Sequence, residues 1–591
     1  TGFLGAAGVL LLFLSLAIRG FVTAARAKSD FASFVAVGLT TTIVLQAFII
    51  VGGITRLIPL TGLTLPFISQ GGSSLLASFI SVGFLLRCGD EGTGVEAEMT
   101  SGTGIIHSNS VLGRVALGKR LTNAIILFSL AFVVLVANLT LIMIVQAKDY
   151  QNMPANNHTI AKEANVKRGA ITTYDGTVLA ESTPNGDGTY SRSYPSGDLA
   201  SQVVGYYSQT YGTSGIEASK NDILQGNRSY ASWSDVISAI SGGNQTGNDV
   251  VLTLNTKIQQ AAQDALSGYT GACVVMDPET GAVLAMASSP TYNASDFDSV
   301  IKASSADSSS SVLLNRATQS LYAPGSTFKM VTLSSALENN VADENTVFDS
   351  PGSMDIGGAK VTNFDETNYG KQTLAQATAW SSNTVFGQLG VKIGAKTLVK
   401  TADAFGFDAQ ISFDLPTAMS LMTDPSDMSE WETAWAAAGQ PVGNHSKIGP
   451  YASVLQMAMV GCGIANDGTI MNPYLVQSVY NSNGERSYNA TPSSFGQPIS
   501  KDTANRVKDV LKGVVQNGTG TAAQIYGVEV AGKTGTAETG KAKDDSWFVG
   551  MAPADNPKLV IAIVLEETDE GTGAAKARQV LTTALQTEGL L

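Results

Sequence analysis

Apolar residues dominate the first quarter of the chain and then give way to shorter, alternating runs. Four uncharged apolar stretches, at residues 3–18, 31–54, 75–86 and 121–145, are predicted to cross a membrane. About 20 apolar residues span a bilayer as a helix, so the third stretch needs the residues that precede it. The last stretch is the cleanest of the four.

Residues 56–74, RLIPLTGLTLPFISQGGSS, are apolar but interrupted by Pro59, Gly62, Pro66, Gly71 and Gly72. So many helix breakers exclude a plain span. Non-helical backbone at membrane depth is tolerated only where protein or a water-filled cavity covers it. The segment is therefore either an outer loop or a re-entrant element that faces a polar cleft.

Basic residues flank the apolar stretches in a consistent pattern, and cytoplasmic loops are the ones that carry an excess of Lys and Arg. A topology with the N-terminus outside places all of these residues in the cytoplasm: Arg19, Arg26, Lys28, Arg87, Arg114, Lys119 and Arg120. Everything after about residue 147 is then predicted to be extracytoplasmic.

The polar half of the chain predicts a mixed fold. Residues 249–255 form a strand, 256–266 a helix and 271–289 a hairpin, and three strands return at 528–537, 545–551 and 558–566. Strands and segregated helices of this kind indicate an α+β domain. Residues 148–247 predict short strands with a hairpin turn at Asp175–Gly176, and the Gly/Asn-rich connector at 241–249 marks a boundary.

Composition agrees with a multi-domain membrane protein, since 591 residues exceed one core, charged residues are 14% and mean hydropathy is +0.12. The net charge is −13 and the chain has no dense block of Lys and Arg residues, so no nucleic-acid partner is expected. Cys88, Cys273 and Cys462 have no metal-site spacing, and no metal or other cofactor is predicted. Cys273 and Cys462 are interpreted as buried thiols, with a disulfide between them as the alternative.

A first candidate motif, YAPGSTFK, covers residues 322–329. Pro324 and Gly325 predict a turn, and an amphipathic helix is predicted to follow. Ser326 then lies at a helix N-terminus, where backbone N–H groups favour developing negative charge. Lys329 lies one turn further on the same face, where a desolvated neutral amine can remove the serine proton.

Two further motifs follow in order. Ser381 and Asn383 belong to SSN on a predicted loop between helices, where Ser381 would shuttle a proton and Asn383 would hold a substrate amide. Lys533 begins KTGT on a predicted strand. Lys533 and Gly535 would then share one face of the strand, and Thr534 and Thr536 the other. Lys533 and the threonines suit a carboxylate, Gly535 would let a substrate strand approach, and the N–H groups of Ser326 and Thr536 would form an oxyanion hole.

Each tripeptide alone is common by chance, and only their order and predicted structural setting make them specific. Other conspicuous residues have simpler interpretations. His107, His158 and His445 lie outside any catalytic pattern, Asp365 and Glu366 suit a solvated loop, and Glu538 beside the KTGT strand is a minor candidate for substrate contact. The tryptophans are interpreted as core or rim aromatics rather than sugar platforms: Trp380, Trp431, Trp435 and Trp547.

Residues 249–591 resemble the class B penicillin-binding proteins in these three motifs and in GQPVGNHSKIGPYASVLQMA, GTGTAAQI and DSWFVGMAP. Residues 148–248, with VKRGAITTYDGTVLAES, resemble their N-terminal pedestal. The resemblance implies a penicillin-binding/serine β-lactamase-like fold and a D,D-transpeptidase. Ser326 would attack the D-Ala-D-Ala carbonyl of a stem peptide, a neighbouring stem amine would resolve the acyl-enzyme, and β-lactams would acylate the same serine.

Residues 1–87 resemble the C-terminal three spans of the SEDS family, the RodA/FtsW peptidoglycan polymerases, with Gln70 where many members carry Tyr. The essential acidic residue of that family precedes the region present, so polymerase activity of this chain alone is not expected. The resemblance implies a SEDS polymerase and the lipid II pathway as partners. A flexible cytoplasmic linker at 88–113 and an anchor helix at 114–147 complete the predicted domain order.

Three other functions remain open. A D,D-carboxypeptidase or β-lactamase would use the same scaffold, but the latter needs a water-activating base, for which no acidic motif is present. A non-enzymatic activator of the polymerase is at odds with the intact serine and lysine set. A bifunctional polymerase is disfavoured by the missing spans.

Overall fold

The protein is described by a computed structural model that covers residues 2–27, 29–55, 57–59, 62–69, 72–93, 111–146, 165–208, 210–226, 246–306, 311–443, 447–538, 540 and 542–591. Two compact units divide the chain at residues 157 and 158. All three histidines, Gln70 and most of the predicted linker lie outside the described residues.

The first unit is built from apolar helices, which are α1 Gly2–Arg26, α2 Asp30–Ile54, α3 Gly72–Thr93 and α4 Val111–Thr140, continued by a π-turn Leu141–Val145. Each contains a segment long and apolar enough to cross a membrane, so the four predicted apolar helices are confirmed, and their crossing of a membrane stays a prediction. α1 is longer than its predicted stretch. α3 recruits residues on both sides and continues to Thr93, so the linker predicted from Cys88 begins within a helix.

The interrupted segment between α2 and α3 is non-helical over its described residues 57–59 and 62–69, apart from a turn. Polar side chains of the unit satisfy its backbone: Gln46 donates to the carbonyl of Thr64 (2.7 Å), and Asn138 of α4 donates to that of Thr55 (3.0 Å). These two bonds help irregular backbone to persist beside apolar helices, because each gives a backbone carbonyl a partner within the unit.

The second unit begins with strands β1 Ile171–Thr172 and β2 Val178–Pro184, which form the predicted hairpin, followed by the elements β3 Tyr190–Ser193, α5 Ser201–Val204, β4 Tyr207–Ser208, β5 Gly212–Thr213, α6 Gly215–Ser219 and α7 Asn221–Leu224. A buried carboxylate holds them together. Glu217 is fully buried and accepts from Arg168 (2.7 Å) and Arg192 (2.5 Å), whose side chains are nearly as buried. Such a charge is tolerated only because it is paired on both sides.

The larger core surrounds a five-stranded antiparallel sheet in the order β17-β18-β19-β7-β8. Its strands are β7 Gly271–Met276, β8 Val283–Ser289, β17 Ala531–Ala537, β18 Asp545–Ala552 and β19 Leu559–Leu565. These are the predicted hairpin and returning strands. One face packs on α8 Thr256–Leu266 and the C-terminal helix α18 Thr572–Thr587.

The remaining helices and strands of the unit are β6 Asp249–Leu252, α9 Phe297–Ala306, α10 Arg316–Gln319, α11 Lys329–Glu338, β9 Val347–Ser350, β10 Ser353–Ile356, β11 Ala359–Thr362, β12 Gly370–Thr373, α12 Leu374–Ala379, α13 Asn383–Ile393, α14 Ala395–Ala404, α15 Glu430–Ala438, α16 Val454–Ala465, β13 Ile470–Met471, β14 Val476–Tyr480, β15 Arg486–Asn489, β16 Ser494–Gly496 and α17 Lys501–Asn517. Together with the sheet they give the predicted α+β architecture.

The packing of the core decides two predictions, one on the cysteines and one on the helix after Ser326. Cys273 and Cys462 are buried free thiols that belong to separate core clusters, so the disulfide alternative is wrong. The helix after Ser326 was predicted to be amphipathic, but every residue of α11 from Lys329 to Leu337 is buried. α11 is therefore the central helix of the core, surrounded on all sides by other helices.

A six-stranded sheet, β15-β14-β6-β1-β2-β3, joins strands from both sides of residue 248. β6 pairs in parallel with β1 of the predicted pedestal and antiparallel with β14. The predicted pedestal and the predicted catalytic domain thus share one sheet, and the boundary between them stays a prediction.

Candidate active site

Ser326 lies in a tight turn at the head of the central helix. Residues Gly325–Phe328 form a 3-10 turn that leads directly into α11, and Ser326 is the half-buried residue among buried neighbours. Gly325 has a φ of +52°, and a Cβ there would lie 2.5 Å from the carbonyl oxygen of Thr536. Glycine at this position therefore lets the turn approach the KTGT strand closely.

Lys329 is the first residue of α11 and is completely buried. Its Nζ lies 3.0 Å from Ser326 Oγ, 2.7 Å from Asn383 Oδ1, 2.7 Å from the carbonyl oxygen of Ser381 and 3.2 Å from Ser381 Oγ. Burial, and then the charge of Lys533, hold the pKa of Lys329 well below its usual value. A neutral amine can donate to two of the oxygens and accept from the serine hydroxyl.

Ser381 and Ser382 lie between α12 and α13, as predicted, whereas Asn383 is the first residue of α13. Ser381 has a φ of +59°, which turns both its carbonyl and its hydroxyl toward the lysines. Ser382 caps α13 by accepting from the N–H of Val385. The Asn383 side chain donates to the carbonyl of Thr362 (2.9 Å), which fixes its oxygen toward Lys329.

Lys533 completes the cluster from strand β17 and is also completely buried. Its Nζ donates to Ser381 Oγ (2.9 Å) and to the carbonyl of Thr534 (3.0 Å). Burial lowers the pKa of Lys533 to about 7, while the negative charge of Glu570 opposes this shift. Ser381 Oγ thus lies between two lysines and can exchange hydrogen bonds with both.

The other three residues of KTGT have different surroundings. Thr534 Oγ1 lies 2.6 Å from Thr519 Oγ1, and Thr536 is partly exposed. A Cβ on Gly535 would lie 2.9 Å from Thr327 Cγ2 and 3.0 Å from the carbonyl oxygen of Pro324. The close approach that Gly535 permits is therefore made by residues 322–328, the nucleophile turn, and not by a substrate strand as predicted.

Several residues that shape the site carried no motif. Asn363 is buried, accepts from the N–H of Thr384 (3.0 Å) and the Ser382 hydroxyl (3.1 Å), and so anchors the SSN segment. Trp547 is 1% exposed and donates to the carbonyl of Ala323 (3.0 Å). Trp547 belongs to DSWFVGMAP, which the sequence singled out, but its contact with the nucleophile turn depends on how that strand packs in the fold.

The other singled-out residues divide between rim and core. Trp380, beside Ser381, is 47% exposed and stacks with Tyr369 at 6.3 Å. Asp365 and Glu366 are exposed in a loop, as expected, and Glu538 is exposed next to β17. Trp431 and Trp435 are partly buried and pack in a small core cluster.

Comparisons with known proteins identify the families that this chain matches. Residues 271–586 match the penicillin binding protein transpeptidase domain family, residues 168–250 the penicillin binding protein A dimerisation domain family, and residues 1–93 the cell cycle protein family of FtsW, RodA and SpoVE. The chain is 31% identical to the peptidoglycan D,D-transpeptidase PbpA of Mycolicibacterium smegmatis, over 76% of this chain and 94% of that protein. It belongs to the family of penicillin-binding protein transpeptidases.

Solved structures extend the comparison. A D,D-transpeptidase domain of a peptidoglycan glycosyltransferase from Eggerthella lenta is 60% identical, covers 72% of this chain and all of that one, and has a TM-score of 0.68. Penicillin-binding protein A from M. tuberculosis, solved as an imipenem acyl-enzyme, is 29% identical over 72% of this chain and all of that one, with a TM-score of 0.65. The apolar helices and the cell cycle protein match indicate a membrane-associated protein.

Proposed function

We propose that this chain is a peptidoglycan D,D-transpeptidase that cross-links stem peptides through an acyl-enzyme on Ser326. The observation that carries the proposal is the buried array in which Lys329 Nζ lies 3.0 Å from Ser326 Oγ and Ser381 Oγ lies between Lys329 and Lys533. The names of the relatives support the same activity, since several are peptidoglycan D,D-transpeptidases.

In the acylation step, neutral Lys329 takes the proton of the Ser326 hydroxyl as Oγ attacks the carbonyl carbon of the penultimate D-Ala. The backbone N–H groups of Ser326 and Thr536 face the oxygen that becomes negative. Asn383 and the carbonyl of Ser381 accept from the lysine amine and hold it in place. A lysine that burial keeps neutral is a suitable base, whereas a cationic lysine is not.

The C–N bond then breaks, and the leaving D-Ala amine receives the proton through Ser381, whose hydroxyl reaches both lysines. Lys533, Thr534 and Thr536 bind the terminal carboxylate of the donor, with Gly535 keeping the strand and the nucleophile turn in contact. An amine from a neighbouring stem peptide attacks the acyl-enzyme ester, forms the cross-link and returns the proton to Ser326. A β-lactam imitates the donor, which fits the acyl-enzyme structures of relatives.

The membrane part defines the setting of this reaction. We place residues 1–93 with the RodA/FtsW-type polymerases, and we assign a SEDS polymerase and the lipid II pathway as partners of the cross-linking domain. The catalytic domain lies outside the cytoplasmic membrane of a multi-pass protein, because the basic residues between spans favour that topology. Fusion of the two modules would couple glycan synthesis to cross-linking.

The experiment that tests this proposal is labelling with a fluorescent penicillin, comparing the wild-type chain with Ser326→Ala. A stable adduct that disappears in Ser326→Ala is expected, because the acyl-enzyme waits for an amine and the sequence carries no acidic motif suited to activate water against it. Rapid release of the label would favour a D,D-carboxypeptidase or β-lactamase. A folded wild-type chain that takes up no label would favour the non-enzymatic activator.

A further inference from the structure

Side chains of Arg316, Tyr322 and Glu566 form a polar network next to the turn that carries Ser326. The Tyr322 hydroxyl donates to Glu566 Oε1 at 2.9 Å, and Arg316 Nε lies 3.3 Å from the same carboxylate oxygen. Tyr322 is 8% exposed and Arg316 7% exposed, whereas Glu566 is partly exposed. These residues come from α10, the nucleophile segment and the end of β19, so three distant parts of the chain meet here.

The same segment is held by its backbone and by Trp547. Tyr322 and Ala452 exchange backbone hydrogen bonds of 2.9 and 2.8 Å. The ring of Tyr322 meets that of Trp547 edge to face, with centroids 5.9 Å apart, and the Trp547 indole donates to the carbonyl of Ala323. The residues before Ser326 are thus fixed by their side chains, by their backbone and by an aromatic contact.

Glu566 is the charged partner of Tyr322 in this network, and Arg316 pairs with the same carboxylate. Burial and the neighbouring Glu566 charge raise the pKa of Tyr322, so its hydroxyl keeps its proton and remains a donor. A hydrogen bond to an ionised acceptor is stronger than one between neutral groups. Loss of this bond frees the Tyr322 ring to shift, and the turn that follows it would shift as well.

We infer that Glu566 is a positioning residue for acylation: held by Arg316, it fixes the nucleophile turn through the hydroxyl of Tyr322. The hydrogen bonds described for Glu566 and Tyr322 go to each other, to Arg316 and to backbone, and those of Lys329 go to Ser326, Ser381 and Asn383. Small displacements of a nucleophile lower the rate of a bond-forming step steeply while leaving ground-state binding almost unchanged. The inference rests on the proposed function, since it concerns the rate at which Ser326 is acylated.

The test is stopped-flow acylation of the full chain by a penicillin, which separates the dissociation constant of the initial complex from the acylation rate constant. Tyr322→Phe is expected to lower the rate constant about tenfold and to change the dissociation constant by less than about twofold. Glu566→Ala should have the same effect on the rate constant, and the double variant no larger one, because both remove the hydrogen bond through which Glu566 acts on the nucleophile turn. Glu566→Gln keeps an oxygen acceptor for Tyr322 and should restore most of the rate.

Tyr292→Phe is the matched control. Tyr292 is 6% exposed, and its hydroxyl donates to the carbonyl of Ser201 at 2.9 Å, away from the nucleophile turn. This variant should lower Tm to a similar extent and leave the acylation rate constant unchanged.

Three outcomes would overturn the inference: an unchanged rate constant in Tyr322→Phe, an equal loss in Tyr292→Phe, or multiplying losses in the double variant. A wild-type chain that forms no adduct would instead contradict the proposed function itself, and with it this inference.

Discussion

Ser381 Oγ lies 3.2 Å from Lys329 Nζ and 2.9 Å from Lys533 Nζ, and both lysines are completely buried. Two positive charges this close, away from water, repel each other and lose hydration, so one or both amines must give up a proton near neutral pH. Burial and the charge of Lys533 hold the pKa of Lys329 well below its usual value. The simplest division of labour is a neutral Lys329 as base and a cationic Lys533 that binds the donor carboxylate.

This division predicts the pH dependence of acylation. The second-order rate constant should rise as Lys329 loses its proton, at a pKa well below the usual 10.5, and fall as Lys533 loses its own, at a pKa of about 7. Acylation rates measured from pH 5 to 10 check this prediction. Lys508→Met is the control, because Lys508 is a buried lysine outside the site whose pKa burial also lowers. A rate that rises only near pH 10 would show that Lys329 is cationic at neutral pH.

At the residue scale the sequence was a good guide because the chemistry is carried by short motifs. Ser326 and Lys329 lie one helical turn apart, so their proximity followed from local geometry. The roles of Asn363, Glu566 and Trp547 did not follow, since each reaches the site from a distant segment. The sequence also did not predict why residue 535 is a glycine. A Cβ there would meet the nucleophile turn, and that contact depends on how the turn packs on the strand.

At the scale of elements, local patterns predicted the hairpin of β7 and β8 and the helix α8, whose bounds match at both ends. The parallel pairing of β6 with β1 could not be predicted, because it joins strands far apart in sequence. The uniform burial of α11 was also missed. Apart from Lys329 and Glu338, its polar residues are small and bond within the core: Ser335 Oγ lies 2.9 Å from Thr401 Oγ1, and Ser334 donates to the carbonyl of Met330.

The contact between α15 and the nucleophile turn gives a prediction for one element. Gly439 ends α15 with a φ of +93°, and a Cβ there would lie 1.8 Å from the carbonyl oxygen of Gly325. Gly439→Ala should therefore lose about 3 kcal/mol of unfolding free energy and most of the acylation rate. Denaturant unfolding and penicillin acylation measure both.

Gly176→Ala provides the comparison, because Gly176 has a φ of +90° and no atom within 4 Å of the added carbon. It should lose only about 1–2 kcal/mol from the backbone strain and acylate normally. Equal effects of the two substitutions would show that α15 does not constrain the turn.

At the scale of the whole molecule, an apolar helical unit and a catalytic unit follow one another in a single chain. The sequence predicted this order because hydropathy and motifs are both local signals. The 60% identity to the Eggerthella lenta structure concerns the catalytic part, which that structure covers. Residues 1–93 match a separate family, which is why we propose a coupled polymerase partner rather than a second activity of this chain.

The central claim is transfer of an acyl group from Ser326 to an amine, and partitioning of a donor measures it most directly. The chain is given an acyl-D-alanyl thioester with a D-amino acid as acceptor, and the amide and free-acid products are quantified. We predict that the amide increases with acceptor concentration at the expense of the free acid, and that Ser326→Ala makes neither. Free acid formed at the same rate whatever the acceptor concentration would contradict transpeptidation and identify a hydrolase.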